Sequence, residues 1–398
     1  MNPAIVAVGY NRPDSMRRLL GSIAKGRIPY DDVTLIVSID ESPQSDEVEA
    51  VARAFAWTHG EKIIRRFPER QGLRPHILQC GGLTEQYGAV IVLEDDLMVA
   101  PDFYEYVKQA LEFYRDDPKI AGVSLYSHGW SEFAYKPFCP KNNGYDAYLG
   151  QFTASWGQCW THSVWGKFME WYKDQNDELL LEKGNFLPGQ INLWSKNSWA
   201  KFFSNFIVEK DLYYVVPYVA MSTNFSEVGQ HCINAVNTFN IPLQMGLKDT
   251  YRFCGFQSAV RYDMFLERLN LEGLEELSVD CDDLCVNLIG NKPHANGKRY
   301  YLTMGKPLAK KIVRSYGLQA RPIDMNIEYQ IPGDTIRLYD MTVDAPVQKM
   351  KTAFYDEMKY YLYGHGRKQL RRYARIVTFR LYKAKFRKLW KLITTGKK

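Results

Sequence analysis

The first 125 residues alternate between short apolar runs and amphipathic segments, and this alternation constrains the fold more than any other feature of the chain. Residues 4–8 form an apolar run of strand length, and the segment after them places apolar side chains on one helix face, at Met16, Leu19, Leu20 and Ile23. The pattern repeats, with further strands predicted at 33–39, 62–64, 89–93 and 121–125 and further helices beginning at Ser45 and Pro101. Strands that alternate with helices predict an α/β fold, with a mostly parallel sheet covered by helices on both faces.

Polar residues follow three of these predicted strands. Arg12 comes shortly after the first strand, Asp40 directly after the second, and Glu94, Asp95 and Asp96 directly after the fourth. In open sheets of this kind, ligands bind beyond the carboxyl ends of the strands. The sequence therefore predicts a ligand site at this edge of the sheet.

The acidic triplet Glu94-Asp95-Asp96 is the strongest single indication of chemistry. Adjacent carboxylates repel one another, and a cation offsets that repulsion. Carboxylates in a short run suit Mg²⁺ or Mn²⁺, which also bind substrate phosphates. The alternative is a solvated turn that caps the next helix, where the helix dipole favours acidic residues. We favour the metal site because the preceding strand is entirely apolar and Asp40 ends a neighbouring strand.

A resemblance to a known family rests on these same segments. The segment VIVLEDDLMVAPDFYEY at 90–106 resembles the metal-site segment of the N-acetylglucosaminyltransferase I family, and it is similar to bacterial glycosyltransferases of surface-polysaccharide assembly. Residues 3–13 and 37–40 match in order and spacing. The resemblance is strong over 1–125 and weaker beyond, at 155–157, 197–200 and 229–231. It implies a Rossmann-like GT-A fold and metal-dependent, inverting transfer of a sugar from a nucleotide-sugar donor.

The resemblance also implies roles position by position. Asp96 is implied as the direct ligand of Mn²⁺ or Mg²⁺, and Glu94 and Asp95 as the residues that hold metal-bound water and the ribose or sugar of the donor. Asp40 is implied to hydrogen-bond the uracil ring, and Arg12 to lie near the base or the diphosphate.

Three further residues have an implied role and a structural alternative. Arg74 belongs to a region that would help to form the wall of the nucleotide pocket. Trp156 is a candidate for stacking on a sugar, although a core position would explain it equally. His231 is a candidate contact to the metal or the diphosphate, although a lone histidine near a cysteine is more often structural.

The general base is not identified by the resemblance. Inverting transfer needs a carboxylate within reach of the acceptor hydroxyl, and the family pattern has one where this chain has Asn197. Three explanations stay open. The alignment is shifted and the base is another acid, with Asp211 and Glu227 as candidates; the site geometry differs; or activity has been lost. We favour the first.

The remaining sequence predicts the domain organisation. Residues 1–275 are expected to form the catalytic domain, with a nucleotide-sugar half at 1–125 and an acceptor half at 126–275. Apolar-alternating pieces broken by Gly and Pro predict a small β-rich appendage at 276–350, and 351–398 is expected to be a basic amphipathic helical tail.

Charge is distributed unevenly along the chain. From His365 onward there are thirteen Lys or Arg and no Asp or Glu. The first 364 residues therefore contain 38 basic and 45 acidic residues. Cations interleaved with apolar and aromatic residues over 367–391 are typical of a helix in the headgroup layer of an anionic membrane. A solvated basic helix and nucleic-acid binding are the alternatives, and we favour the membrane, with no nucleic-acid partner.

These observations predict a glycosyltransferase that uses a nucleotide-sugar donor, UDP-linked as the resemblance implies, and a glycan or lipid-linked acceptor in surface-polysaccharide assembly. No signal peptide and no apolar stretch of membrane-spanning length is recognisable, so we expect a cytoplasmic protein, peripheral on the inner face of the cytoplasmic membrane. One rival is a nucleotidyltransferase, which usually has a Gly-rich phosphate loop that residues 9–13 lack. The other is a non-catalytic glycan-binding or scaffold protein on a decayed transferase fold.

Overall fold

A computed structural model describes residues 2–153, 155–225 and 238–348, together with positions 357, 359–361, 368, 369, 371, 372, 374, 375, 378 and 382. The first part of the chain contains the predicted alternation. Its elements are β1 (Ala4–Gly9), α1 (Pro13–Ile23), β2 (Leu35–Ile39), α2 (Ser45–Ala54), β3 (Lys62–Arg66), α3 (Leu73–Gly82), α4 (Thr84–Tyr87), β4 (Ala89–Glu94), β5 (Leu97–Val99), α5 (Phe103–Phe113) and β6 (Ile120–Ser124).

The middle of the chain is more helical than the sequence pattern indicates. Its elements are β7 (Trp130–Ser131), β8 (Lys136–Pro137), β9 (Ala147–Gly150), β10 (Gln158–Thr161), α6 (His162–Tyr172), α7 (Asp177–Lys183), α8 (Gly189–Asn192), α9 (Trp199–Glu209), β11 (Tyr213–Pro217), β12 (Ser222–Asn224) and β13 (Arg261–Tyr262). The sequence pattern predicted this range only as the acceptor half of the catalytic domain, with no helix or strand bounds.

A nine-stranded sheet in the order β13-β9-β11-β6-β10-β4-β1-β2-β3 organises both parts. β1 pairs in parallel with β2 and β4, and β2 pairs in parallel with β3. The antiparallel β10 lies between β4 and β6, which consequently run in the same direction. The sheet is thus mostly parallel, with antiparallel pairings confined to the half that contains β9 and β10.

Helices cover both faces of this sheet, because successive side chains of each buried strand point to opposite sides. Ile5 and Ala7 of β1 belong to the core layer formed with α1, α2 and α5. Ala4 and Val6 belong to the layer formed with α3, α6 and α9. The mixed α/β fold class predicted from the sequence, with a mostly parallel sheet covered by helices on both faces, is confirmed.

A second, four-stranded sheet follows in the chain. It has the order β14-β15-β17-β16 and a hydrophobic cluster of its own. Its elements are β14 (Leu284–Asn287), β15 (Tyr300–Thr303), β16 (Lys310–Tyr316), α10 (Met325–Glu328) and β17 (Ile336–Asp344). These strands lie within the range predicted as a β-rich appendage, while most of the predicted basic tail lies outside the described residues. In the described part of the chain, no helix has both the length and the apolar character needed to cross a bilayer.

Asp102, directly before α5, forms hydrogen bonds with a later loop of the chain that contains Lys248 and Tyr251. Its carboxylate is fully buried and accepts hydrogen bonds from Arg27 Nε at 2.8 Å, the Lys248 amide at 2.9 Å and the Tyr251 hydroxyl at 2.6 Å. Removal of one partner from a buried ion pair leaves the other charge uncompensated. The carboxylate therefore holds together three segments that are distant in sequence.

We expect Asp102→Ala to lower the free energy of unfolding by about 3–5 kcal/mol, because it leaves Arg27 and two neutral donors without their acceptor. Urea denaturation measures this change. Asp249→Ala is the matched control: Asp249 also pairs with Arg27, at 3.3 Å, but its side chain is fully exposed. We expect no measurable change for the control, and equal losses in the two variants would contradict the assignment.

Candidate active site

The carboxyl ends of three adjacent strands meet at one edge of the large sheet. Gly9 at the end of β1 pairs with Ile39 at the end of β2, and Val8 pairs with Glu94 at the end of β4. Arg12, Asp40 and the acidic triplet follow these positions directly. The structure thus brings together the residues that the sequence placed at the strand ends.

The turn that carries the triplet is fixed on both sides. Glu94 is the last residue of β4, and β5 begins at Leu97 and pairs with β12. The amide of Phe225, directly after β12, donates to the Asp96 carbonyl at 3.0 Å. The backbone is therefore anchored by main-chain hydrogen bonds after the triplet.

Arg12 is the cation that faces the triplet. Its guanidinium forms an ion pair with Asp95 and lies 3.6 Å from Asp96. The Asp95 side chain is only 5% exposed, whereas that of Asp96 is 21% exposed. Asp95 thus pairs with Arg12, and the carboxylate of Asp96 is more accessible than that of Asp95.

Burial and crowding shift the acidity of this cluster. Burial raises the pKa of Glu94 well above its usual range, the charges of Asp96 and Asp95 raise it further, and Arg12 opposes the shift. Burial raises the pKa of Asp95 to about 6, although its ion pair with Arg12 acts in the opposite direction. The local structure therefore favours binding of additional positive charge.

Asp40 organises the loop that leads into α3. Its carboxylate accepts hydrogen bonds from the amides of Gln71 at 2.6 Å and Gly72 at 2.9 Å. Gly72 has a φ of +81°, a conformation that favours glycine. Arg74 follows in the first turn of α3, where its guanidinium lies 4.8 Å from the ring centre of Phe202 in α9. Asp40 thus holds the loop from which α3 and Arg74 begin.

Trp156 lies at the same edge of the sheet. Gln158 in β10 pairs with both Val92 of β4 and Ser124 of β6, so the antiparallel register brings Trp156 to the level of Glu94. Its carbonyl accepts a hydrogen bond from Ser222 in β12, and its ring lies 4.5 Å from that of Tyr126. Trp156 is therefore beside the triplet.

A cavity that we call the aromatic pocket opens at Trp156. Its aromatic lining consists of Trp130, Phe133, Phe152, Trp156, Trp194 and Phe239. His128 and Glu132 also line this pocket, and neither residue was predicted from the sequence. The local sequence feature that could have indicated them is the run His128-Gly-Trp-Ser-Glu132-Phe after β6, which contains both polar and aromatic residues.

The predicted base Asp211 is not brought to this edge. It precedes β11 at the amino end, because β11 runs parallel to β6, and its carboxylate contacts Lys119, Gln151 and Tyr213. Asn197 is exposed, two residues before α9. The other candidate base, Glu227, and the candidate metal ligand His231 lie outside the described residues.

The fit of the triplet to a divalent metal depends on how many side chains are available as ligands. Among the described residues, no three His, Cys, Asp or Glu side chains are grouped so that they hold a metal ion by themselves. Mg²⁺ sites commonly use one or two carboxylates and are completed by waters and substrate phosphates, and Mn²⁺ accepts the same ligands. The accessible Asp96 and the raised pKa of Glu94 fit a site of that kind.

Comparison with known proteins supports the resemblance seen in the sequence. Residues 79–185 match the sequence model of the GNT-I family. The alpha-1,3-mannosyl-glycoprotein 2-beta-N-acetylglucosaminyltransferase of Arabidopsis thaliana is 30% identical over 102 residues, which are 25% of this chain and 21% of that protein. The chain thus matches about a fifth of its relative's length. The resemblance is confirmed, although the matched range runs from 79 to 185, whereas the sequence analysis placed it mainly at 1–125.

Solved structures with a similar arrangement are more distant in sequence. The mannosyltransferase PcManGT from Pyrobaculum calidifontis, determined with GDP-Man and Mn²⁺, is 15% identical, with 54% of this chain and 56% of that chain covered and a TM-score of 0.32. Mouse xyloside xylosyltransferase 1, in its apo form, is 13% identical, with 54% and 85% covered and a TM-score of 0.34. Similarity at this level carries no inference on function.

We expect Arg12→Met to lower the free energy of unfolding by about 1.5–3 kcal/mol, because the buried Asp95 carboxylate loses its charged partner. Asp95→Asn combined with Arg12→Met removes both charges, so the double variant should be more stable than the sum of the two single losses indicates. Urea denaturation of the four proteins gives this coupling. Arg17→Met is the control on the same helix, because the Arg17–Asp14 pair is exposed and should contribute nothing measurable. Strict additivity at Arg12 and Asp95 would contradict the pairing.

Proposed function

We propose that this chain is a metal-dependent glycosyltransferase that moves a sugar from a nucleotide-sugar donor to a glycan or lipid-linked acceptor. One observation carries the proposal: Arg12, Asp40 and the triplet converge at the carboxyl edge of the sheet. The triplet lies within the range that matches the GNT-I family. The family match and the site geometry thus share the triplet, whereas Arg12 and Asp40 lie outside the matched range and support the proposal by their position.

The donor is expected to lie along this edge, with its base toward the loop held by Asp40. The two carboxylate oxygens of Asp40 already accept three amide hydrogen bonds, from Glu41, Gln71 and Gly72, so this residue would fix the wall against which a uracil ring lies. The diphosphate would lie near Arg12 and Asp96. A UDP-linked donor follows from the resemblance, and the sugar itself is left open.

Asp96 would hold a divalent metal together with the diphosphate of the donor, and Glu94 and Asp95 would orient metal-bound water and the donor's ribose or sugar. Mn²⁺ and Mg²⁺ both suit these ligands. When bound, the metal neutralises charge on the departing nucleoside diphosphate. Arg12 supplies positive charge to Asp95 and Asp96, and it is close enough to Asp96 to contact a phosphate bound there.

Two alternative functions, a nucleotidyltransferase and a non-catalytic scaffold, would require different features at these elements. A nucleotidyltransferase usually binds phosphates with a Gly-rich loop after the first strand, whereas here α1 begins at Pro13, four residues after β1. A non-catalytic scaffold would not need an accessible carboxylate beside a buried acidic pair. A transferase needs an accessible carboxylate such as Asp96 to hold the metal, whereas a non-catalytic scaffold does not.

The finer parts of the proposal come from sequence. Inverting transfer and a role in surface-polysaccharide assembly follow from the resemblance. A position on the inner face of the cytoplasmic membrane follows from the charge pattern at 367–391. That position would bring the site close to a lipid-linked acceptor.

We expect one donor from a panel of UDP-, GDP- and CMP-sugars to be hydrolysed slowly with Mn²⁺ or Mg²⁺ and not with EDTA. Asp96→Ala should lower this rate by about 100-fold or more, because loss of a metal contact removes several kcal/mol of charge stabilisation. Nucleoside diphosphate release is the measurement. Asp14→Ala removes an exposed carboxylate near the start of α1 and should leave the rate unchanged. Absence of binding and turnover for every donor and metal would refute the transferase function.

A further inference from the structure

The aromatic pocket contains polar atoms that the described residues leave without a hydrogen-bond partner. They are His128 Nδ1, Thr153 Oγ1 and Ser204 Oγ, and all three residues line the cavity. A buried polar atom without a partner costs about 1–3 kcal/mol. Such atoms are normally satisfied by water or by a ligand. Three of them in one cavity provide hydrogen-bonding positions for water or for the hydroxyl groups of a ligand.

The walls of the pocket indicate which hydroxylated ligand it fits. Trp130, Trp156 and Trp194 line it together with three phenylalanines. Aromatic faces provide large apolar contact area, and the C–H faces of a pyranose ring complement them while its hydroxyls reach the polar atoms. Burial lowers the pKa of His128 to about 3, so this histidine is neutral at physiological pH and suits a neutral sugar.

Glu132 is the one carboxylate that lines the pocket in the described part of the chain. It lies in the turn between β7 and β8, and none of its described neighbours forms a hydrogen bond or an ion pair with it. Its side chain remains accessible to solvent, and partial burial nevertheless raises the pKa of its carboxyl group. An unpaired carboxylate of raised pKa has the properties of a general base.

The turn that carries Glu132 is held in place. Trp130 pairs with Pro137 across the hairpin, and the Phe138 amide donates to the Gly129 carbonyl at 3.0 Å. Lys136 donates to the Ile289 carbonyl at 2.7 Å, which connects the hairpin to the chain directly after β14. The carboxylate is therefore presented from a supported turn.

The pocket and the triplet share a wall. Trp156 lines the pocket and, through the register of β10, lies at the level of Glu94. Ser222, whose hydroxyl donates to the Trp156 carbonyl, belongs to the strand that pairs with β5 directly after the triplet. A sugar in the pocket would thus lie next to a donor held at the triplet.

We propose that the aromatic pocket binds the acceptor sugar and that Glu132 is the general base of the transfer. This inference rests on the proposed glycosyltransferase function. The Glu132 carboxylate takes the proton of one acceptor hydroxyl, and the hydroxyl oxygen forms a bond to the anomeric carbon of the donor. The bond from that carbon to the phosphate oxygen breaks, and its electron pair leaves with the nucleoside diphosphate. A carboxylate on the hairpin replaces the acid that is missing at Asn197.

The base is tested with octyl glycosides of glucose, galactose and N-acetylglucosamine as acceptor probes and the donor that the wild type hydrolyses. We expect Glu132→Gln to lower kcat for transfer by about 10²- to 10⁴-fold, while the Kd of the donor with Mn²⁺, measured by calorimetry, stays within twofold. Glu132→Asp should restore part of the rate, because it keeps a carboxylate. Asp211→Asn, at the opposite edge, should transfer at the wild-type rate.

The pocket is tested separately with Trp194→Ala, which removes one wall. We expect the KM for the glycoside to rise about 3- to 10-fold with an unchanged donor Kd. Transfer by Glu132→Gln within threefold of wild type overturns the base assignment, and loss of donor binding in that variant overturns it also, because the role would then be structural. A wild type that neither binds nor hydrolyses any donor overturns the proposed function, and the assignment of the base fails with it.

Discussion

Parallel pairing of β1 with both β2 and β4 is the constraint on which the site depends. It aligns the ends of three strands in one register and thereby brings the segments that carry Arg12, Asp40 and the triplet to one edge of the sheet. The same alignment concentrates negative charge in a poorly solvated place, which explains the raised pKa of Glu94. Arg12 limits this cost, and its ion pair leaves Asp96 as the carboxylate that a ligand reaches.

The antiparallel strand β10 extends this edge into a second compartment. Because it lies between β4 and β6, the residues that precede it run back along the carboxyl edge and bring Trp156 beside the triplet. The hairpin of β7 and β8 covers the far side, and Lys136 connects it to the segment after β14. The small sheet thus has a structural role at the site: it supports the hairpin that carries Glu132.

The sequence predicted the elements whose burial follows a simple period. β1, β2 and β4 are continuous apolar runs, and α1 and α5 have one apolar face, so pattern and structure agree. α9 was missed because nearly every residue from Trp199 to Ile207 is buried, which removes the amphipathic period. Glu132 was missed for another reason: it lies in a turn, and only tertiary packing brings it to the pocket.

Asn197 and Glu132 illustrate which catalytic roles depend on sequence position. In the proposed function a metal ligand must lie at a fixed point relative to the diphosphate, which favours carboxylates at the end of β4 that are recognisable from the sequence. A general base has only to reach one hydroxyl of an acceptor that is itself held by the pocket. Any element that lines the pocket is able to supply that carboxylate, and in the proposed mechanism the hairpin after β6 supplies it. The loss of an acid at one position is therefore weak evidence against catalysis when another carboxylate lines the same cavity.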